Sequence, residues 1–265
     1  MRKAIGDPLL VRAGRGLVPT PRALELRTRV GDVVRESEAV LRPAEELDLR
    51  QLDRTFTLRT SDGFAENFAA DLVARVAAAA PHVRLRFVPK LDGDSTALRD
   101  GKVDLETGVV ARTTSPELRA QALFRDRFVG VVRRDHPLRK GKMTPFRYAA
   151  ARHVLDSRHE HAAGPIDKAL KSLGLERNIA TIVGGFATAL ALARQSDMIA
   201  SVPERHTGNL RAGMHSFALP VPTPQITVSM LWHPRLEADQ GHRWLRACIR
   251  EACVARVSNL VTGSS

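Results

Sequence analysis

Residues 5–22, IGDPLLVRAGRGLVPTPR, constrain this chain more than any other stretch. Arg2 to Ile5 read as the end of a helix, and Gly6 after them suits the left-handed residue that closes one. Asp7-Pro8 then turns the chain. Two short apolar runs, Leu9-Leu10-Val11 and Leu17-Val18, flank Ala13-Gly14-Arg15-Gly16. Apolar runs joined by glycines read as a tight β-hairpin, because glycine reaches positive φ without steric cost. Thr20-Pro21 opens a new helix: a hydroxyl caps it and proline fills the first helical position. The order is therefore helix end, hairpin, long helix.

That long helix is predicted over 21–42. Leu26, Val30, Val33, Ser37 and Val40 recur at spacings of four and three, a heptad seam, while Arg27, Arg29, Asp32, Arg35, Glu36 and Glu38 fill the other faces. A lone stripe of this length must be buried on something. Its own domain is one partner; the heptad spacing favours a second copy. Pro43 ends the helix, and 43–54 read as a polar connector.

From Thr55 the texture becomes α/β. Strands are expected at 55–60, 83–88 and 103–110, with an alanine-rich helix at 65–80 and a short one at 95–101. A second unit follows, with strands at 127–133, 154–155, 179–183 and 199–202 and helices at 164–173 and 187–195. The chain then returns to a strand at 226–233 and a closing helix at 240–257. Crossing out near 125 and back near 225 implies two subdomains, 55–126 with 226–265 and 127–225, that close on a cleft. Such a cleft is where a small ligand usually sits.

Composition excludes several classes. At 265 residues and 43% hydrophobic the chain is globular, and nothing approaches the run of about 20 apolar residues that spans a bilayer. Arg2 and Lys3 are followed by no apolar h-region, so a secretory signal is not expected, and the location expected is cytoplasmic. Cys248 and Cys253, five apart in a helix, lack zinc or redox spacing and read as reduced thiols. The net charge is +12, with +5 in residues 1–29 and +8 in residues 119–158. The second surplus fits a solvated basic face; attraction of an anionic ligand or non-specific DNA contact is the alternative.

Gly6-Asp7-Pro8-Leu9-Leu10-Val11-Arg12 followed by Thr20-Pro21-Arg22-Ala23 resembles the wing and linker of the LysR-type transcriptional regulators. Three further segments carry the same resemblance. Thr55 to Asp62 matches the opening strand of the effector domain. Leu98 to Leu105 matches the family's L-x-x-G-x-x-D-L, although the aliphatic residue that normally precedes the glycine is here Thr107, before Gly108. Gly164 to Leu175 and then Ser196 to Arg205, with its S-D-x-x-x-x-x-P phrase, match the second subdomain. The resemblance implies a type 2 periplasmic-binding-protein-like effector domain of two α/β subdomains, preceded by a partial winged-helix wing (1–20) and a linker helix (21–42). It implies a small-molecule effector, operator DNA as partner of the full-length form, and a homodimer or homotetramer joined through the linker helix. The helices that should precede the wing are missing, so an N-terminal truncation is expected. Arg2, Lys3, Arg12 and Arg15 are left to touch phosphates, which position a protein on DNA but do not specify sequence.

The cleft can be argued physically as well. Thr60, Ser61 and Asp62 end a strand and begin a helix, where hydroxyls and free N–H groups favour an anion such as a carboxylate. Ser61 as a plain helix cap is the competing reading. Arg112 and Thr113 follow the third strand at the carboxyl edge, where open α/β sheets bind ligands. Ser157, His159 and His161 follow the short strand of the second unit. Gly184-Gly185-Phe186 precedes a helix; the family often has a bulkier residue at 185, so the pocket here is roomier or differently filled. His153, His159 and His161 lack metal-ligand spacing, and neither HExxH nor CxxC accompanies them, so no metal or cofactor is expected. No GxSxG, P-loop or GxGxxG is present, so an enzyme is not expected. The alternative function is a stand-alone solute-binding protein on the same fold, which has no use for a wing and a heptad helix.

Overall fold

The computed structural model describes residues 5–14, 16–41, 47–90, 94–110, 114–156 and 164–262, with side chains at 38–41 and 257–262 left aside. Residues 1–47 form one compact unit and 48–265 another.

In the first unit, β1 (Leu10–Ala13) and β2 (Gly16–Pro19) pair antiparallel with Ala13 opposite Gly16. Gly6 and Gly14 both sit at positive φ, at the helix end and in the hairpin turn. Thr20 caps α1 (Pro21–Leu41): its hydroxyl accepts from Ala23 N and donates to Asp7 Oδ1, which also accepts from Leu9 N. Asp7 thus ties the base of the hairpin to the start of the helix. Leu24, Val30, Val33 and Val34 of α1 are exposed in the single chain.

The second unit contains two five-stranded sheets. The first has the order β4 (Arg84–Pro89), β3 (Thr55–Thr60), β5 (Leu105–Val109), β12 (Ile226–Trp232), β6 (Arg119–Asp126). Its β3 runs parallel to β4 and β5, whereas β12 is antiparallel to both neighbours. Strand alternation points Phe56, Leu58 and Thr60 inward. There Phe64, Phe68, Leu72 and Val76 of α2 (Asp62–Ala79) and Leu245, Ile249 and Ala252 of α7 (Gln240–Thr262) complete one core. Helix α3 (Thr96–Arg99) covers the other face through Leu98, against Val103 and Leu231.

The second sheet has the order β11 (His215–Ala218), β7 (Phe128–Val132), β10 (Met198–Pro203), β8 (Arg152–Asp156), β9 (Asn178–Val183). Helix α6 (Phe186–Arg194) packs Ala189, Leu190 and Ala193 on one face. Helices α4 (Pro145–Ala150) and α5 (Pro165–Lys171) pack Tyr148, Ala149, Ile166 and Leu170 on the other. The periodicity missed β6, whose RAQALFRD is half polar, and α4, which is only six residues long. Helix α2 begins at Asp62 rather than Ala65, because Ser61 caps it. No helix among the described residues is long and apolar enough to cross a membrane.

Candidate functional site

Helix α2 begins where β3 ends, and its first turn meets the second sheet's side of the molecule. Thr60 turns inward with β3, and its hydroxyl lies 2.6 Å from that of Thr107, both buried. The threonine that departs from the family pattern thus pairs with another hydroxyl. Ser61 Oγ accepts from Phe64 N at 3.2 Å and lies 2.6 Å from His206 Nε2. Asp62 Oδ1 accepts from Gly63 N at 2.8 Å, and Asp62 Oδ2 accepts from Ala187 N, in the first turn of α6, at 2.7 Å. The three residues singled out at this helix start are therefore all held by protein partners.

His206 stands at the junction. Its ring packs edge-on to Phe64, Phe124 and Phe186, with centroids 5.9, 6.2 and 6.0 Å away. Its backbone N–H donates to Asp126 Oδ2, and Arg127 and Arg205 donate to Oδ1. Burial holds the Asp126 carboxyl above the usual carboxylate range despite these N–H bonds. Asn67 Nδ2 donates to Arg205 O, and Asn209 N donates to Asn67 Oδ1. Residues 205–209 and Asp126 thus form the joint between the two sheets.

A cavity of about 160 Å³ opens in the second half, lined by Phe128, Val154, Asp156, Ile166, Arg177, Phe186 and Ser201 among others. It sits past the carboxyl ends of parallel β8 and β9, the usual ligand edge of such sheets. Arg177 is almost fully buried and binds Asp167 through two bonds, Nε–Oδ1 at 2.8 Å and Nη2–Oδ2 at 2.9 Å. Burial acts to raise the Asp167 carboxyl, but Arg177's hydrogen bonds and charge bring it below its ordinary value. Ser201 Oγ and Tyr148 OH lie 2.6 Å apart, and burial raises the Tyr148 hydroxyl's pKa. Behind them His153, fully buried, donates from Nε2 to Tyr148 O at 2.7 Å; burial lowers its pKa to about 4.

Of the residues expected at the site, Phe186 lines this cavity, and Thr60, Ser61 and Asp62 lie at the joint beside it. Arg12 is exposed on the hairpin. Arg2, Lys3, Arg15, Arg112, Thr113, Ser157, His159 and His161 lie outside the described residues. Sequence reasoning missed Arg177, Asp167, Tyr148 and Ser201. Only Gly164-Pro165-Ile166-Asp167 carried a signal, as a helix start. Trp232 packs beneath Arg246, 4.4 Å from its ring centroid, and Cys248 and Cys253 are buried thiols, the latter pushed up to about 12 by burial.

The sequence model of the LysR substrate binding domain matches residues 49–254. The transcriptional activator NagR of a Ralstonia species is 28% identical over 253 residues, covering 93% of this chain and 82% of its own. The transcriptional regulator SyrM of Rhizobium meliloti is 31% identical over 257 residues, covering 95% of this chain and 77% of its own. A crystal structure of a probable transcriptional regulator from Pseudomonas aeruginosa superposes with a TM-score of 0.69 at 28% identity, over 94% of this chain and 84% of that one.

Proposed function

We propose, for a chain that belongs to the LysR family of transcriptional regulators, that it senses a small organic acid in the cavity of its second subdomain. The observation that carries this reading is the position of Phe186. It lines the cavity and also packs on His206 at the joint, so an occupant is one side chain away from the contacts between the two halves. The volume suits a compact molecule, since an apolar cavity of about 150 Å³ holds a benzene. A carboxylate would find the Ser201 hydroxyl and Arg177, whose guanidinium has five N–H groups of which Asp167 takes two and Tyr148 another. A regulator of this kind works in the cytoplasm, where effector and operator meet, and Arg12 is suited to a phosphate contact.

A thermal-shift screen of small organic acids, followed by calorimetry on the best binder, tests this. Ser201→Ala and Phe186→Ala should each weaken binding by about tenfold, the scale of one charge-assisted hydrogen bond or one lost apolar wall. Wild-type affinity in both variants would remove the ligand from this cavity.

The exposed valines of α1 support self-association through the heptad seam. Replacing Val30 and Val33 together with Asp places two unpaired charges in that seam. Light scattering should then report a lower mass than for the parent chain; an unchanged mass would assign the assembly to other surfaces.

A further inference from the structure

The Asp62 carboxylate caps two helices at once, one in each half of the effector domain. Oδ1 takes Gly63 N of α2, and Oδ2 takes Ala187 N of α6. Both are free amides at helix N-termini, where a negative charge is favoured by the aligned peptide dipoles. The local packing is built around this carboxylate. A Cβ on Gly185 would come within 2.5 Å of Asp62 Oδ2, and a Cβ on Gly63 would crowd His206 O and the Phe186 ring at 3.1 and 3.2 Å. Gly185 leaves space at this point, and Asp62 fills it. Between described residues, the other hydrogen bonds that join the halves end on residues 205–209 or, like that of Arg127 N to Asp126, lie at the chain crossing itself. Those bonds sit at the pivot. The Asp62–Ala187 bond instead reaches the body of the second half.

We propose that Asp62 is a built-in strap. Its carboxylate holds α6 against α2 without any ligand, and so sets the balance between closed and open forms of the effector domain. Gly185 is the residue that admits it. An occupant of the neighbouring cavity that shifts Phe186 moves the first residue of α6, adjacent to the strapped amide, and thereby loosens or tightens the strap. A ligand can shift this balance only by its differential affinity for the two forms. The regulatory part rests on the effector reading above; the strap itself does not.

The test uses the full chain with no ligand. Amide hydrogen exchange in peptides spanning 185–190 should quicken by about tenfold or more in Asp62→Ala, as expected for loss of one charge-assisted hydrogen bond. Asp62→Asn, which keeps the shape and one acceptor, should fall between. Gly185→Ala should reproduce Asp62→Ala by expelling the carboxylate, and the double variant should exchange no faster than either single one. Small-angle scattering should show a larger radius of gyration for Asp62→Ala. Unchanged exchange in α6, additive effects in the double variant, or faster exchange with no change in radius would each overturn the strap. Should Asp62→Ala fail to fold, Asp62→Asn and Gly185→Ala carry the same readings. Because no effector enters these measurements, they can fail while cavity binding stands, and the reverse.

Discussion

Glu106→Gln should destabilise the effector domain by about 3–5 kcal/mol, the usual cost of removing one member of a buried ionic cluster. Glu106 has no exposed surface. Its Oε1 lies 2.7 Å from Arg59 Nη2 and its Oε2 lies 2.8 Å from Lys90 Nζ; Ser95 Oγ also donates to Oε2. The two cations are themselves about nine-tenths buried, at 11% and 12% exposed. Glutamine preserves the shape but removes the negative charge that the two cations share, while Arg59 keeps its bond to Asp94 O. Chemical denaturation measures the loss, and the melting temperature should fall by roughly 10 °C, at about 2–4 °C per kcal/mol for a domain of this size. Adding Lys90→Met to Glu106→Gln should restore part of it, because one stranded cation is then gone. A loss below about 1 kcal/mol would mean that water enters the cluster or that the cations swing outward.

The second large effect is a response to acid. His153 is buried and neutral, with its pKa lowered from 6.5 to about 4 by burial. Between those values the unfolded chain binds a proton that the folded chain does not. Stability therefore rises with pH across this window and is lost as pH falls from about 6.5 towards 4. The full shift corresponds to about 3 kcal/mol, at 1.36 kcal/mol for each pH unit. Burial also lowers His242, which acts in the same direction, whereas it raises Asp126, which acts in the opposite one. The difference between the parent chain and His153→Asn isolates the histidine. Melting temperatures between pH 7 and 4.5 should fall more steeply in the parent, and parallel curves would show that His153 is protonated without cost in the fold.

Both effects arise at residues that no pattern marks. Glu106 reads as one polar residue just after L-x-x-G-x-x-D-L, and His153 as one of three histidines between 153 and 161. What makes them consequential is burial beside particular partners. Local signals served the elements well: Thr20 and Ser61 cap the helices they precede, Gly6 and Gly14 take the positive φ their turns need, and Pro21 opens α1. These features depend on a few neighbouring residues, so they are legible in a linear string. The alternation of Thr55 to Thr60 likewise matches the face that turns inward.

The candidate site was legible only in part, for the same physical reason. Thr60, Ser61 and Asp62 stand at a strand-to-helix junction, and the sequence alone establishes that free amides and hydroxyls gather there. Whether they face a ligand or one another depends on residues far along the chain. The tertiary structure brings up Thr107, His206 and Ala187, 47, 145 and 125 positions away, and they engage these three side chains. Arg177 and Asp167 are ten residues apart across a helix and a loop, with no periodic relation to announce their bond. The short-range order of helices, hairpin and strands, and the family to which they belong, were determined by the sequence through propensity, capping and hydrophobic period. Which polar groups meet, which are stripped of water and which carboxylate bonds across the two halves were decided only by tertiary packing, because those energies depend on distance in space and on burial.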